Sequence, residues 1–147
     1  MTASTVVELA VRAIGTPVPQ GSHHAQIVGK GRAIVVANNA NGLRKWRGIL
    51  KDAAESAMTA CGWITLTGPV AVDVVFYLER PRSVRRLLPT VAPDLDKLVR
   101  TLDSLTDAGV WADDSRVVDL RAAKRYVAGG QRPGVRVLVR PADEVIV

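Results

Sequence analysis

A chain of 147 residues has room for one hydrophobic core but not two, and with 48% hydrophobic against 23% charged residues it is globular rather than disordered. Twenty Lys and Arg against fourteen Asp and Glu leave a net charge of +6, which points to a polyanionic partner without naming one. The single Cys61 excludes an intrachain disulfide and a cysteine-rich zinc site, and aromatics at 4% are too few for a single-strand binder that stacks bases.

No apolar run approaches a membrane span, and Met1 to Thr5 leads into a strand pattern without a basic, signal-type start. A reducing, cytoplasmic setting is therefore expected. Residues 6–14 put Val7, Leu9, Val11 and Ala13 on one face, with Glu8 and Arg12 on the other, as in a half-buried strand. Gly15, Pro17 and Pro19 break the alternation, so 15–22 is expected to be a loop. His23 and His24 read as more of that polar loop, because adjacent histidines rarely ligate one metal and no third ligand stands at a suitable spacing.

Apolar runs at 26–28 and 33–36 flank Gly29-Lys30-Gly31-Arg32, the pattern of a β-hairpin. Its tip brings Lys30 and Arg32 within reach of a DNA backbone, but lacks the Gly-Lys-Ser/Thr ending of a phosphate-binding P-loop. Asn38, Asn39 and Asn41 offer a cap for a helix over 42–60. Leu43, Trp46, Leu50, Ala53, Ala54 and Ala57 form its buried face, with Trp46 read as core. Arg44, Lys45, Arg47 and Lys51 crowd its first turns against the macrodipole; a DNA-facing surface and a solvated face are both open readings.

After a turn region at 62–68 containing Trp63, residues 70–78 are nearly apolar on both faces, as in a central strand, with Asp73 given a structural role. Residues 79–93 then carry three prolines with Arg80, Arg82, Arg85 and Arg86, a loop with little chance of packing. Its arginines suit bidentate bonds to phosphate, and DNA contact is expected there.

Residues 93–114 organise the rest. Asp94 and Asp96 follow Pro93 and open a helix whose buried face is Leu95, Leu98, Val99, Leu102 and Leu105, with Gly109 as its stop. Asp113 and Asp114 follow Trp111. A helix bracketed by acidic pairs on a basic chain fits a protein that sets a divalent cation against a polyanion, because clustered carboxylates repel unless they hold a cation. On a regular helix Asp94 and Asp96 would diverge by about 200°, so one of them is expected before the first turn, in extended geometry. The competing reading makes one of them an N-cap and Asp113–Asp114 a turn. Residues 116–126 and 135–139 complete the chain as strands around a Gly129–Gly134 turn. The fold class is α+β: a single domain, 1–147, with a mixed, mostly antiparallel sheet, two main helices packed on it, and a final hairpin.

The segment Asp94-Leu95-Asp96, Arg100, Gly109-Val110-Trp111-Ala112-Asp113-Asp114 and Val117-Val118 closely resembles the signature of the RusA-type Holliday junction resolvases of bacteria and their phages. That signature runs Asp-x-Asp, a helical Lys, Gly-x-Trp-x-Asp-Asp and a Val-Val strand. The resemblance implies a homodimeric endonuclease of DNA recombination and repair that resolves four-way junctions by paired symmetric nicks. Asp94, Asp96 and Asp114 would bind Mg²⁺, with Mn²⁺ as a substitute, and Asp113 would support them. The family's lysine is replaced by Arg100, which can stabilise charge but cannot exchange a proton; Lys97 and Lys124 are the alternative basic residues. Two other readings stand beside it: a nuclease for flaps or other branched DNA, and a non-catalytic DNA-binding protein.

Overall fold

The computed structural model describes residues 8–21, 23–28, 32–37 and 40–143, with backbone alone at 23–28 and 32–37. Lys30, Asn38 and Asn39 lie outside the described residues, as do Val7 and the side chain of Arg32.

Four strands form the main sheet in the order β1 (Leu9–Ile14), β6 (Gly134–Pro141), β4 (Val70–Leu78), β5 (Val117–Tyr126). Period-two patterning builds three of them. Leu9, Val11 and Ala13 of β1, Val135, Val137 and Val139 of β6, and Val70, Val72, Val74 and Phe76 of β4 are all buried on one face. On that face lies α1 (Ala40–Cys61), which contributes Trp46, Leu50 and Ala54 at helical spacing. Beside it lies the 95–108 stretch, which contributes Leu98, Leu102 and Leu105. The expected nine-residue central strand is confirmed, since β4 pairs with β6 antiparallel and with β5 parallel.

Three expectations need correction. The last two strands are not a hairpin, because β4 lies between them. The long connection from β4 to β5, with its helical stretch, is what a parallel neighbour requires. His23 and His24 are not in a loop; they open β2 (His23–Val28), which pairs with β3 (Arg32–Ala37) as a separate two-stranded sheet. The hairpin itself is as expected.

The 95–108 helix is also not uniform. It consists of α2 (Leu95–Val99), a 3₁₀ turn at Arg100–Leu102, and α3 (Asp103–Ala108). The Thr101 hydroxyl donates to the Leu98 carbonyl at 2.6 Å and the Ser104 hydroxyl to the Thr101 carbonyl at 2.7 Å. Such back-bonding competes with the α-helical ladder and favours the tighter turn. Both hydroxyls are buried, and Thr101 also accepts the Trp46 indole N–H at 3.2 Å, which ties the turn to α1.

Candidate active site

Asp94 occupies the residue before α2 with extended backbone (φ −70°, ψ 137°), and its carboxylate makes no capping bond. Asp96 lies within the first turn. The expected split of the pair across the helix start is therefore present, and capping does not account for Asp94. Both side chains are well exposed, at 59% and 70%. Their partners are cations of the same helical stretch: Lys97 Nζ stands 3.5 Å from Asp94, and Arg100 3.9 Å from Asp96. Exposed pairs at such spacing contribute little and are readily exchanged for another cation.

The second acidic pair is held differently. Gly109 takes the left-handed conformation (φ 91°) that ends α3. Val110 and Trp111 then turn inward, and the strip is pinned by backbone bonds from Leu66 to Val110 (3.1 Å) and from Ala112 to Leu66 (2.9 Å). The buried Trp111 indole donates to the Thr106 hydroxyl at 2.5 Å, and that hydroxyl donates to Asp114. The tryptophan of the motif thus aims the aspartate three residues later. Asp113 caps the short 3₁₀ turn 114–116: it accepts from the Ser115 amide at 2.9 Å and from the Ser115 hydroxyl. These bonds hold its carboxyl below the usual aspartate value, with the nearby Arg116 a smaller contributor.

Asp114 lines a cleft of about 230 Å³ whose walls also include Arg100, Asp103 and the apolar Val72, Val99 and Leu120. Arg100, beside Asp96 and in the cleft wall with Asp114, links the two acidic pairs. Among the described residues no three His, Cys, Asp or Glu side chains are gathered closely enough to hold an ion, so Asp94, Asp96 and Asp114 do not form one closed cage.

Several supports could not be read from residue spacing. The loop 15–21 docks on α2 through the Gln20 amide and the Lys97 carbonyl at 2.9 Å. Gly21 there (φ 90°) faces the Arg100 guanidinium so closely that a Cβ would overlap it. Arg47 of α1 reaches the Gln20 side chain at 2.6 Å and the Asp103 carboxylate, which makes it an internal tie rather than a DNA-facing cation. Lys124, on the helix-facing side of β5, donates to the carbonyls of Val91 (2.7 Å) and Pro93 (2.8 Å). It therefore anchors the loop immediately before Asp94. Arg80, Arg82 and Arg85 are exposed on that loop, while Arg86 donates to the Tyr126 hydroxyl at 2.9 Å. Pro89 is buried, so the loop is packed at one point. Asp73 lies on the opposite sheet face, paired with Arg140 at 3.0 Å, and has no part in this site.

No helix among the described residues is long and apolar enough to cross a membrane. The chain is 34% identical over 87 residues to a Bacillus subtilis (strain 168) protein named Uncharacterized protein YqaN; the match takes in 51% of this chain and 59% of that one. The family model described as Endodeoxyribonuclease RusA matches residues 15–140, a span holding both acidic pairs, the Arg100 cleft and the strands β4 and β5 that wall it. The chain belongs to the RusA endodeoxyribonuclease family.

Proposed function

We propose that the chain is a metal-dependent, structure-selective endodeoxyribonuclease that resolves four-way junctions in DNA recombination and repair. The observation that carries this reading is the Asp94–Asp96 pair: two exposed carboxylates, Asp94 making no capping bond and Asp96 ion-paired to Arg100, which lines one cleft with Asp114. Mg²⁺ is commonly held by one or two carboxylates together with water and substrate phosphates, so an open oxygen-donor set of this kind fits it, and Mn²⁺ as a substitute. Asp94 and Asp96 would be the primary ligands, and Asp114 would become the third only when an ion draws the two pairs together. An ion in such a site supplies an activated water and neutralises charge on the phosphate under attack.

The protein's own residues do the rest. Arg100 keeps a fixed positive charge in the cleft and stabilises charge building on the phosphate, without exchanging protons. Lys97, 3.5 Å from Asp94, is the amine that would take the role of the family's lysine. Lys124 acts through position, holding the chain that leads into Asp94, and Asp113 secures the turn that carries Asp114. Arg80, Arg82, Arg85 and Arg86 track the DNA backbone, with Lys30 and Arg32 of the hairpin region as further contacts. A four-way junction is two-fold symmetric, so a C2 homodimer would place one site at each of two equivalent strands. The single 147-residue domain would act in the cytoplasm of a bacterial or phage-infected cell.

The test is nicking of a synthetic four-way junction in Mg²⁺ or EDTA, comparing wild type with Asp96→Asn. Paired symmetric nicks that need the ion, and a mutant that binds without cutting, are expected. Binding with no cleavage in Mg²⁺ or Mn²⁺ would sink the enzyme reading and leave a DNA-binding protein whose Arg100 occupies the cation position. Equal cutting of flaps would retain the chemistry and discard junction selectivity.

A further inference from the structure

The face of the main sheet that carries no helix has a second concentration of charge. Arg12 of β1 and Arg136 of β6 stand directly opposite each other in the antiparallel register. Like charges in that position are destabilising unless something compensates them. On the same face Arg140 has its carboxylate, Asp73. Neither Arg12 nor Arg136 pairs with a carboxylate among the described residues, and Arg132 joins them unpaired. The three line a recess of about 340 Å³ together with Tyr77 and Gln131, and its wall contains no Asp or Glu. Arg132 is brought there by the β1 end: the Gly15 amide donates to the Pro133 carbonyl at 3.0 Å, fastening the turn before β6 against β1.

We propose that this recess is a second phosphate-binding site, which takes the backbone of a DNA duplex arm other than the one at the carboxylates. The inference rests on branched DNA being the substrate. Guanidinium groups offer paired N–H donors that match phosphate oxygens, and a phosphate is the group that would relieve the Arg12–Arg136 repulsion. Topology decides that the arm is a different one. The carboxylate cleft is walled by Val72 and Leu120 on the helix side of the sheet, whereas Tyr77, Arg12 and Arg136 project from the other side. A straight duplex lying in the cleft does not reach the recess, but a junction, whose arms leave in several directions, presents backbone to both.

The experiment measures binding in EDTA, where no strand is cut. Wild type, Arg12→Gln/Arg136→Gln and Arg140→Gln are titrated with a four-way junction and with a single linear duplex of one arm's length, across a range of salt. The double variant is expected to bind the junction about tenfold more weakly, with a log K against log salt slope smaller by about 2, as for two lost phosphate contacts. Its affinity for the linear duplex and its melting temperature should not fall. Arg140→Gln, whose arginine already has a partner, should leave the junction slope unchanged. An unchanged junction slope in the double variant would overturn the inference, as would equal losses on junction and linear duplex, which would mark a general attraction. A wild type that binds junctions but cuts none would discard the nuclease reading and leave this one standing.

Discussion

The two acidic pairs of the site are built on opposite principles. Asp113 and Asp114 are fastened by the fold: Trp111 is buried, Thr106 relays it to Asp114, and Ser115 holds Asp113. Asp94 and Asp96 are fastened by almost nothing except two long ion pairs to Lys97 and Arg100. One half is therefore set before any ligand arrives, and the other would be free to give up its cations for the divalent ion proposed above. Such a division suits a metal site that must open to a large substrate, because a dedicated cage would leave no coordination position for phosphate.

The strongest way to break this comparison is to remove the anchor of the rigid half. Trp111→Ala should cost about 3–5 kcal/mol, the usual range for truncating a large buried aromatic, read from urea denaturation. Asp96→Asn should leave stability unchanged within error in the same assay. If the two variants lost similar amounts, the distinction between a fastened and a free pair would fail.

Lys124 tests whether the free pair is free in its side chains only. Lys124→Met keeps the aliphatic stem but removes both bonds to the 91–93 carbonyls, and should cost about 1.5 kcal/mol, near the low end for a charged donor because the group is partly exposed. Tryptic cleavage after Arg82, Arg85 and Arg86 should accelerate, and Mn²⁺ affinity measured by calorimetry should fall. Unaltered proteolysis would mean that the buried Pro89 and the Arg86–Tyr126 bond hold the loop without help from Lys124. A smaller effect is expected at the relay. Thr106→Val leaves the Trp111 indole without its acceptor and Asp114 without its donor, at a cost of about 1 kcal/mol.

Much of this was legible in the residues, for physical reasons that also mark the limits. The spacing of Trp46, Leu50 and Ala54 and the apolar run 70–78 are strong periodic signals, because burial imposes them. The Asp-x-Asp and Gly-x-Trp-x-Asp-Asp motifs mark the candidate site, since each packs its chemistry into a few adjacent residues. Strand order was not legible. β5 is an edge strand with Val118 and Leu120 exposed, so its pattern does not say that β4 rather than β6 is its neighbour. The break at Arg100–Leu102 was hidden because a hydrophobic period survives a 3₁₀ turn, while the Thr101 and Ser104 hydroxyls that favour the turn are polar residues of no fixed meaning. The Gln20–Lys97 and Arg47–Asp103 ties and the Gly21–Arg100 contact join residues far apart in the chain, and only folding puts them together.

The finest test concerns Asp113, the most local piece of the rigid half. Its carboxyl is held below the ordinary aspartate value first by the Ser115 hydroxyl and then by the Ser115 amide. A carboxyl depressed in the folded state binds its proton more readily when unfolded. Its contribution to stability is therefore complete above the unfolded value and is lost as pH falls through the folded one. Ser115→Ala removes the hydroxyl and keeps the amide, so the Asp113 carboxyl should titrate at higher pH than in wild type, yet still below an unfolded aspartate. Side-chain carboxyl shifts followed by NMR across an acid titration report this directly. An Asp113 titration that does not move would mean that the Ser115 hydroxyl bond contributes nothing in solution. Asp113 would then belong with the loosely held pair rather than with Asp114.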